Sequence, residues 1–146
     1  MCDALCEAGH QVIVLDDLSN GSMSNLTAEV EFVEGDILDA DLVDQLMQRV
    51  EGCFHLAAIP SIEESAKHWP QTHAVNLTGT VNILNAARAN DARSSIPVTF
   101  ASSSAVYGNL SEKPVAEAEL LKRFHYIISF FLVSKSYNKR SAPGNI

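Results

Sequence analysis

Four short apolar runs, each closing on small, acidic or hydroxyl residues and separated by helical stretches, constrain this chain more than any other feature. They read VIVLDD (12–17), VEFVEGD (30–36), CFHLAA (53–58) and IPVTFASSS (96–104). Runs this short and this rich in Val, Ile and Phe predict buried strands, near 11–16, 30–34, 53–58 and 97–101. Between them lie helix signals. Residues 2–8 precede Gly9, a favoured residue just past a helix end. Asp39 is a good N-cap for a helix whose Leu42, Val43, Leu46, Met47 and Val50 recur at helical spacing before Gly52. A loop with Trp69 and Pro70 leads to a long helix over about 72–90. Strands alternating with helices through short links predict an α/β fold with a doubly wound parallel sheet.

No internal repeat or linker divides the chain, so one domain is expected over 1–146. The alternation opens on a helix rather than a strand. In a βαβ unit the first strand and its glycine-rich turn carry the phosphate site, and an acidic residue follows about 20 residues later. Counting back that far from Asp16 passes Met1. The expectation is therefore a partial sheet, lacking its first and central strand.

Charge narrows the function classes. Ten basic against eighteen acidic residues leave a net charge of −8, which disfavours a nucleic-acid or anionic-membrane surface. A small anionic ligand remains compatible, because helix N-termini bind phosphate through backbone N–H groups. The longest apolar run, YIISFFLV at 126–133, falls well short of a membrane span. The N-terminus has no basic and apolar leader pattern, so a cytoplasmic protein is expected. Cys2, Cys6 and Cys53 have no CxxC spacing and no nearby His to complete a zinc set. They read as reduced thiols, with no metal site.

Ligands of open α/β sheets sit at the carboxyl ends of the strands. Asp16, Asp36, and Leu56 with Ala57 and Ala58 all fall at such ends. Asn76 is an uncharged polar residue inside an apolar helix, where a partner is expected. Ser102, Ser103 and Ser104 follow the fourth strand, and their reading stays open between a polar turn and a ligand site.

Taken in order and at their spacing, VIVLDDLSNG, EGDILD, FHLAA, VNLTGT and SSSAVYG resemble the NAD-dependent epimerase/dehydratase family, the extended short-chain dehydrogenases. The likeness runs over about residues 3–110 and is weaker over 111–137. LDDLSNG and SSSAVYG lean toward UDP-glucose 4-epimerase-like members. The resemblance implies a Rossmann-type fold, incomplete without its first strand and a C-terminal substrate domain, and NAD as cofactor. Asp16 would bind the adenosine ribose, with Asn20 and Gly21 in the adjoining loop. Asp36 and Ile37 would flank the adenine. Leu56, Ala57 and Ala58 would line the dinucleotide's path, and Asn76 would lie beneath the active site. Ser103 would take the catalytic Ser/Thr position, with Ser104 as the alternative.

The same family uses a Tyr-x-x-x-Lys pair on one helix face, in which the lysine lowers the tyrosine pKa and holds the ribose. Tyr107, Tyr126 and Tyr137 are not followed by a lysine at that spacing. FLVSK (131–135) resembles the motif with Phe131 in the tyrosine's place and Lys135 as the lysine. The implied parent activity is NAD-dependent 4-epimerization of a UDP-sugar, with a homodimer as the assembly. A 4,6-dehydratase parent is disfavoured because Ser104 and Ala105 stand where those members carry Asp-Glu. A non-catalytic nucleotide-binding remnant is favoured by Phe131.

Overall fold

The computed structural model describes residues 1–26, 29–88 and 94–103. In chain order the elements are α1 (Cys2–Glu7), β1 (Ile13–Asp16), β2 (Glu31–Glu34), α2 (Ala40–Met47), β3 (Cys53–His55), α3 (Ile62–Lys67), α4 (Trp69–His73), α5 (Thr80–Ala86) and β4 (Val98–Phe100). A 3₁₀ turn at Met23–Asn25 and a π-helical turn at Ala74–Gly79 complete them.

The expected strands form, and all described pairings are parallel. β1 lies beside β2 with Ile13 opposite Glu31 and Asp16 opposite Glu34. β3 lies beside β4 with Cys53 opposite Val98 and His55 opposite Phe100. In keeping with a sheet expected to lack its central strand, the described residues make two parallel pairs, β1–β2 and β3–β4. Both pairs still serve one core. Leu15 from β1, Cys53 from β3 and Val98 from β4 all pack on the cluster of Ile37, Val43, Met47, Ile83, Ala86 and Ala87. α2 and α5 supply most of that cluster, so one layer of helices covers both pairs. Each such aliphatic side chain, fully buried, stabilises the fold by about 1.5–3 kcal/mol.

Local sequence explains the element ends. Gly9 adopts a left-handed φ of 88° and donates its N–H to the Cys6 carbonyl at 2.9 Å, closing α1. Asp39 caps α2, its Oδ1 accepting the Leu42 N–H at 3.0 Å. α2 ends at Met47, before the predicted Val50, because its last turn tightens into an i→i−3 bond from the Arg49 N–H to the Leu46 carbonyl.

Two segments differ from the sequence-based expectation. The stretch before residue 72, read as a loop, contains α3 and the start of α4. Ser61 accepts the Glu64 N–H at 3.2 Å as an N-cap. Pro70 lies in the first turn of α4, where its missing N–H costs nothing. β3 stops at His55 rather than Ala58, because the chain beyond it turns away from β4 to meet Asn76.

Candidate functional site

The carboxyl ends of β1, β2 and β3 lead into three loops, and hydrogen bonds fix the shape of each. At the end of β1, Asp16 is exposed and its Oδ1 accepts the Leu18 N–H at 2.8 Å. Asp17 repeats the device on the Ser19 N–H at 2.9 Å, and the hydrogen bonds from Ser19 hold its carboxyl below the usual carboxylate range. Leu18 between them takes a left-handed φ of 55°, a conformation that costs a branched side chain about 1–2 kcal/mol. The turn brings Gly21 back against the carboxylate, so close that a Cβ there would lie 3.3 Å from Asp16 Oδ1. Asn20 is exposed in the same turn. Among the described residues no donor reaches Asp16 Oδ2.

At the end of β2, the Gly35 N–H donates to the Asp16 carbonyl at 3.1 Å, which ties the two strand ends together. Asp36 Oδ1 accepts the Leu38 N–H at 2.9 Å. Ile37 turns inward: it is 7% exposed and lies in the core cluster. Its side chain abuts Gly79, where an added Cβ would sit 2.6 Å from Ile37 Cγ1.

At the end of β3, Leu56 and Ala57 are exposed and Ala58 is half-buried. The next residue is gripped by Asn76, which is 5% exposed. Asn76 Oδ1 accepts the Ile59 N–H at 2.7 Å, and its Nδ2 donates to the Ile59 carbonyl at 3.0 Å. This amide pairs with the loop as a neighbouring strand would. The partner predicted for Asn76 is thus the backbone of residue 59.

A buried polar pair sits below that grip. Thr80 Oγ1 donates its one hydrogen to the Asn76 carbonyl at 2.8 Å. It therefore accepts at its other contact, and the His55 Nε2–H is the donor there, also at 2.8 Å. Burial lowers the His55 pKa, because charging the ring means desolvating it. Burial also pushes the Cys53 thiol up to about 11.

Ser103 follows β4, half-buried, three residues beyond Phe100. Ser104, Phe131 and Lys135 lie outside the described residues. One helix run, from Asn76 to Asn82, reaches both the loop after β2 and the loop after β3. Asp36 and the Leu56–Ile59 loop therefore share an edge, and the Gly35 bond adds Asp16 to it. Sequence reasoning missed His55, Thr80 and Asn82 as parts of this edge. The signal that singled out Asn76, a polar side chain in an apolar helix, applied equally to Thr80 and Asn82.

The model of the NAD dependent epimerase/dehydratase family matches residues 1–142. The chain belongs to that family. It is 38% identical over 123 residues to the UDP-glucose 4-epimerase of Mycolicibacterium smegmatis, covering 80% of this chain and 39% of that protein. Its fold matches the UDP-glucose 4-epimerase of Brucella ovis, solved in complex with NAD, at a TM-score of 0.83 and 29% identity, over 97% of this chain and 43% of that one. It also matches the UDP-N-acetylglucosamine 4-epimerase of Methanobrevibacter ruminantium, solved with UDP-N-acetylmuramic acid, at a TM-score of 0.80 and 28% identity, over 94% and 44%. The chain spans between 35% and 39% of the length of three curated relatives it matches. These neighbours bear out the expected Rossmann-type fold. Among the described residues, no helix is long and apolar enough to cross a membrane.

The family's cofactor fits the strand-end edge. A ribose presents two adjacent hydroxyl donors, and Asp16 Oδ2 is an acceptor in the open. A side chain in place of Gly21 would crowd that carboxylate, its Cβ 3.3 Å from Asp16 Oδ1.

Proposed function

We propose that this chain is the NAD-binding portion of a nucleotide-sugar 4-epimerase. The observation that carries the reading is the shared edge: an open carboxylate at Asp16, a second at Asp36, and a small-residue loop at Leu56, Ala57 and Ala58 held by Asn76. Asp16 would take the adenosine ribose, with Asn20 and Gly21 beside it. Asp36 would face the adenine, with Ile37 anchoring that loop from inside the core. In a doubly wound sheet of strand order 3-2-1-4-5-6, the pair β2–β1 matches places 3-2 and the pair β3–β4 matches places 4-5. The place between the pairs is that of strand 1, whose turn carries the pyrophosphate in such sheets.

Bound NAD would supply the hydride acceptor for oxidation at the sugar's C4. The chain's own part is orientation: the Ser103 hydroxyl, with Ser104 as the alternative, would hold the sugar oxygen, and Lys135 the second ribose. The substrate is read as a UDP-sugar and the location as cytoplasmic. A homodimer is the assembly proposed, with Val81 and Trp69, 52% and 66% exposed on the helix run, in support. Phe131 favours a second reading, nucleotide binding without turnover, since a phenyl ring can exchange no proton.

Calorimetric titration of NAD and NADP tests the cofactor assignment. NAD binds more tightly, because the Asp16 carboxylate repels a 2′-phosphate and DLSNG offers no cation to accept one. Equal or tighter NADP binding overturns the role of Asp16. An assay with UDP-glucose, run on this portion joined to a family-like first strand and substrate domain, separates the two readings: turnover supports the first, and NAD binding without turnover supports the second.

A further inference from the structure

The loop between β2 and α2 is held from the far side by a residue with no assigned role. Asn82 Nδ2, on α5, donates to the Ile37 carbonyl at 3.0 Å and to the Leu38 carbonyl at 3.3 Å. An amide nitrogen carries two hydrogens, so it can serve both carbonyls at once. Two of the loop's N–H groups are engaged within it: Leu38 donates to Asp36 Oδ1, and Asp39 donates to the Asp36 carbonyl at 3.0 Å. Ile37, seated against Gly79, is the third fixed point. With the Leu38 and Asp39 N–H groups, the Ile37 and Leu38 carbonyls and the Ile37 side chain engaged, Asp36 Oδ2 remains for an outside donor; among the described residues none reaches it.

Helix formation does not call for Asn82, since Asn is a weaker helix former than Ala or Leu. Its position on α5 serves the loop. We propose that Asn82 is a positioning residue for the adenine end of the site, acting through the Ile37 and Leu38 carbonyls to fix where the Asp36 carboxylate stands. This rests on the reading that Asp36 faces an adenine. Asn82 itself would touch no nucleotide.

The test uses the full 146-residue chain, with AMP as probe and three variants. Asn82→Asp keeps the shape but removes the donor, Asn82→Ala removes both, and Asn82→Gln keeps a donor on a longer stem. AMP binding is expected to weaken about tenfold in N82D and N82A, the effect of one net hydrogen bond, and to recover in large part in N82Q. Amide hydrogen exchange should rise at residues 36–42 in N82D while the Ile59 N–H, held by Asn76, keeps its protection. A purely structural role would lower the melting temperature without the N82Q recovery of AMP affinity, and that pattern overturns the proposal. So does unchanged AMP affinity in N82D. Failure of the wild type to bind AMP overturns the nucleotide reading instead. Exchange alone then judges the hold on the loop, and unchanged exchange in N82D removes it.

Discussion

The loops after β2 and after β3 meet the same helix run, yet they are held by different physics. The loop after β2 is anchored by packing: Ile37 is 7% exposed against Gly79, and Asn82 adds hydrogen bonds to its carbonyls. The loop after β3 has no comparable apolar anchor. Leu56 is 52% exposed, and a single amide, Asn76, supplies both bonds to Ile59. One loop is wedged and the other is clamped. A wedge distributes its hold over many weak contacts, so loss of a hydrogen bond loosens it without releasing it. A clamp concentrates it in one side chain and fails with that side chain.

The clamp should therefore give the largest effect. Asn76→Ala strands the Ile59 N–H and carbonyl together, and each buried group left without a partner costs about 1–3 kcal/mol. Urea denaturation should show the loss, with raised amide exchange at residues 56–60 and none at 36–39. An unchanged midpoint would mean that Ile59 is held by something else.

The wedge breaks by crowding. Gly79→Ala gains about 1 kcal/mol of helix propensity, but the new methyl group collides with Ile37, and overpacking costs typically 1–3 kcal/mol. A net loss of stability is expected. Ile37→Ala removes the colliding atoms, so the double variant should lose less than the sum of the two single ones. Additive losses would show that the two residues do not meet.

A smaller effect sharpens the comparison through pH. His55 braces the clamp through Thr80, and its pKa is lowered in the folded state by burial. The unfolded chain then binds a proton more readily than the folded one. Stability from this group is full above the ordinary value of 6.5 and falls as pH drops through it, levelling once the lowered folded pKa is passed. His55→Gln should flatten that slope. A slope that survives the substitution places its origin elsewhere.

The smallest effect belongs to the surface. Arg49 and Glu31 pair at 2.6 Å at the ends of α2 and β2 remote from the wedged loop, each side chain about half exposed, and solvent screens such pairs strongly. Arg49→Ala should leave both the melting temperature and exchange at residues 36–39 unmoved.

The strands were legible because each falls in a short run rich in Val, Ile, Leu or Phe, and the caps at Gly9 and Asp39 because capping chemistry is local. The edge was legible in Asp16, Asp36 and Asn76 for the same kind of reason: an acid at a strand end and an amide inside an apolar helix are signals carried by single residues. The wedge was not legible. Nothing local couples Gly79 to Ile37, or Asn82 to Leu38, since these contacts join positions more than forty residues apart. The start of α4 was missed for a different reason. Trp69 and Pro70 read as a break, whereas Pro70 occupies the one part of a helix that tolerates it.

The π-helical turn at Ala74–Gly79 makes this helix run intolerant of further lengthening. A π turn absorbs one extra residue within a helix, so the faces before it and after it keep their directions. Asn76 is aimed at Ile59, while Ile83 and Ala86 beyond the turn are aimed into the core. Inserting a second residue between 74 and 79 would exceed what one turn absorbs and swing everything downstream by about 100°. Either the clamp or the core could then be satisfied, but not both. Point substitutions here can be graded by size and polarity, whereas a one-residue insertion is a change of gear.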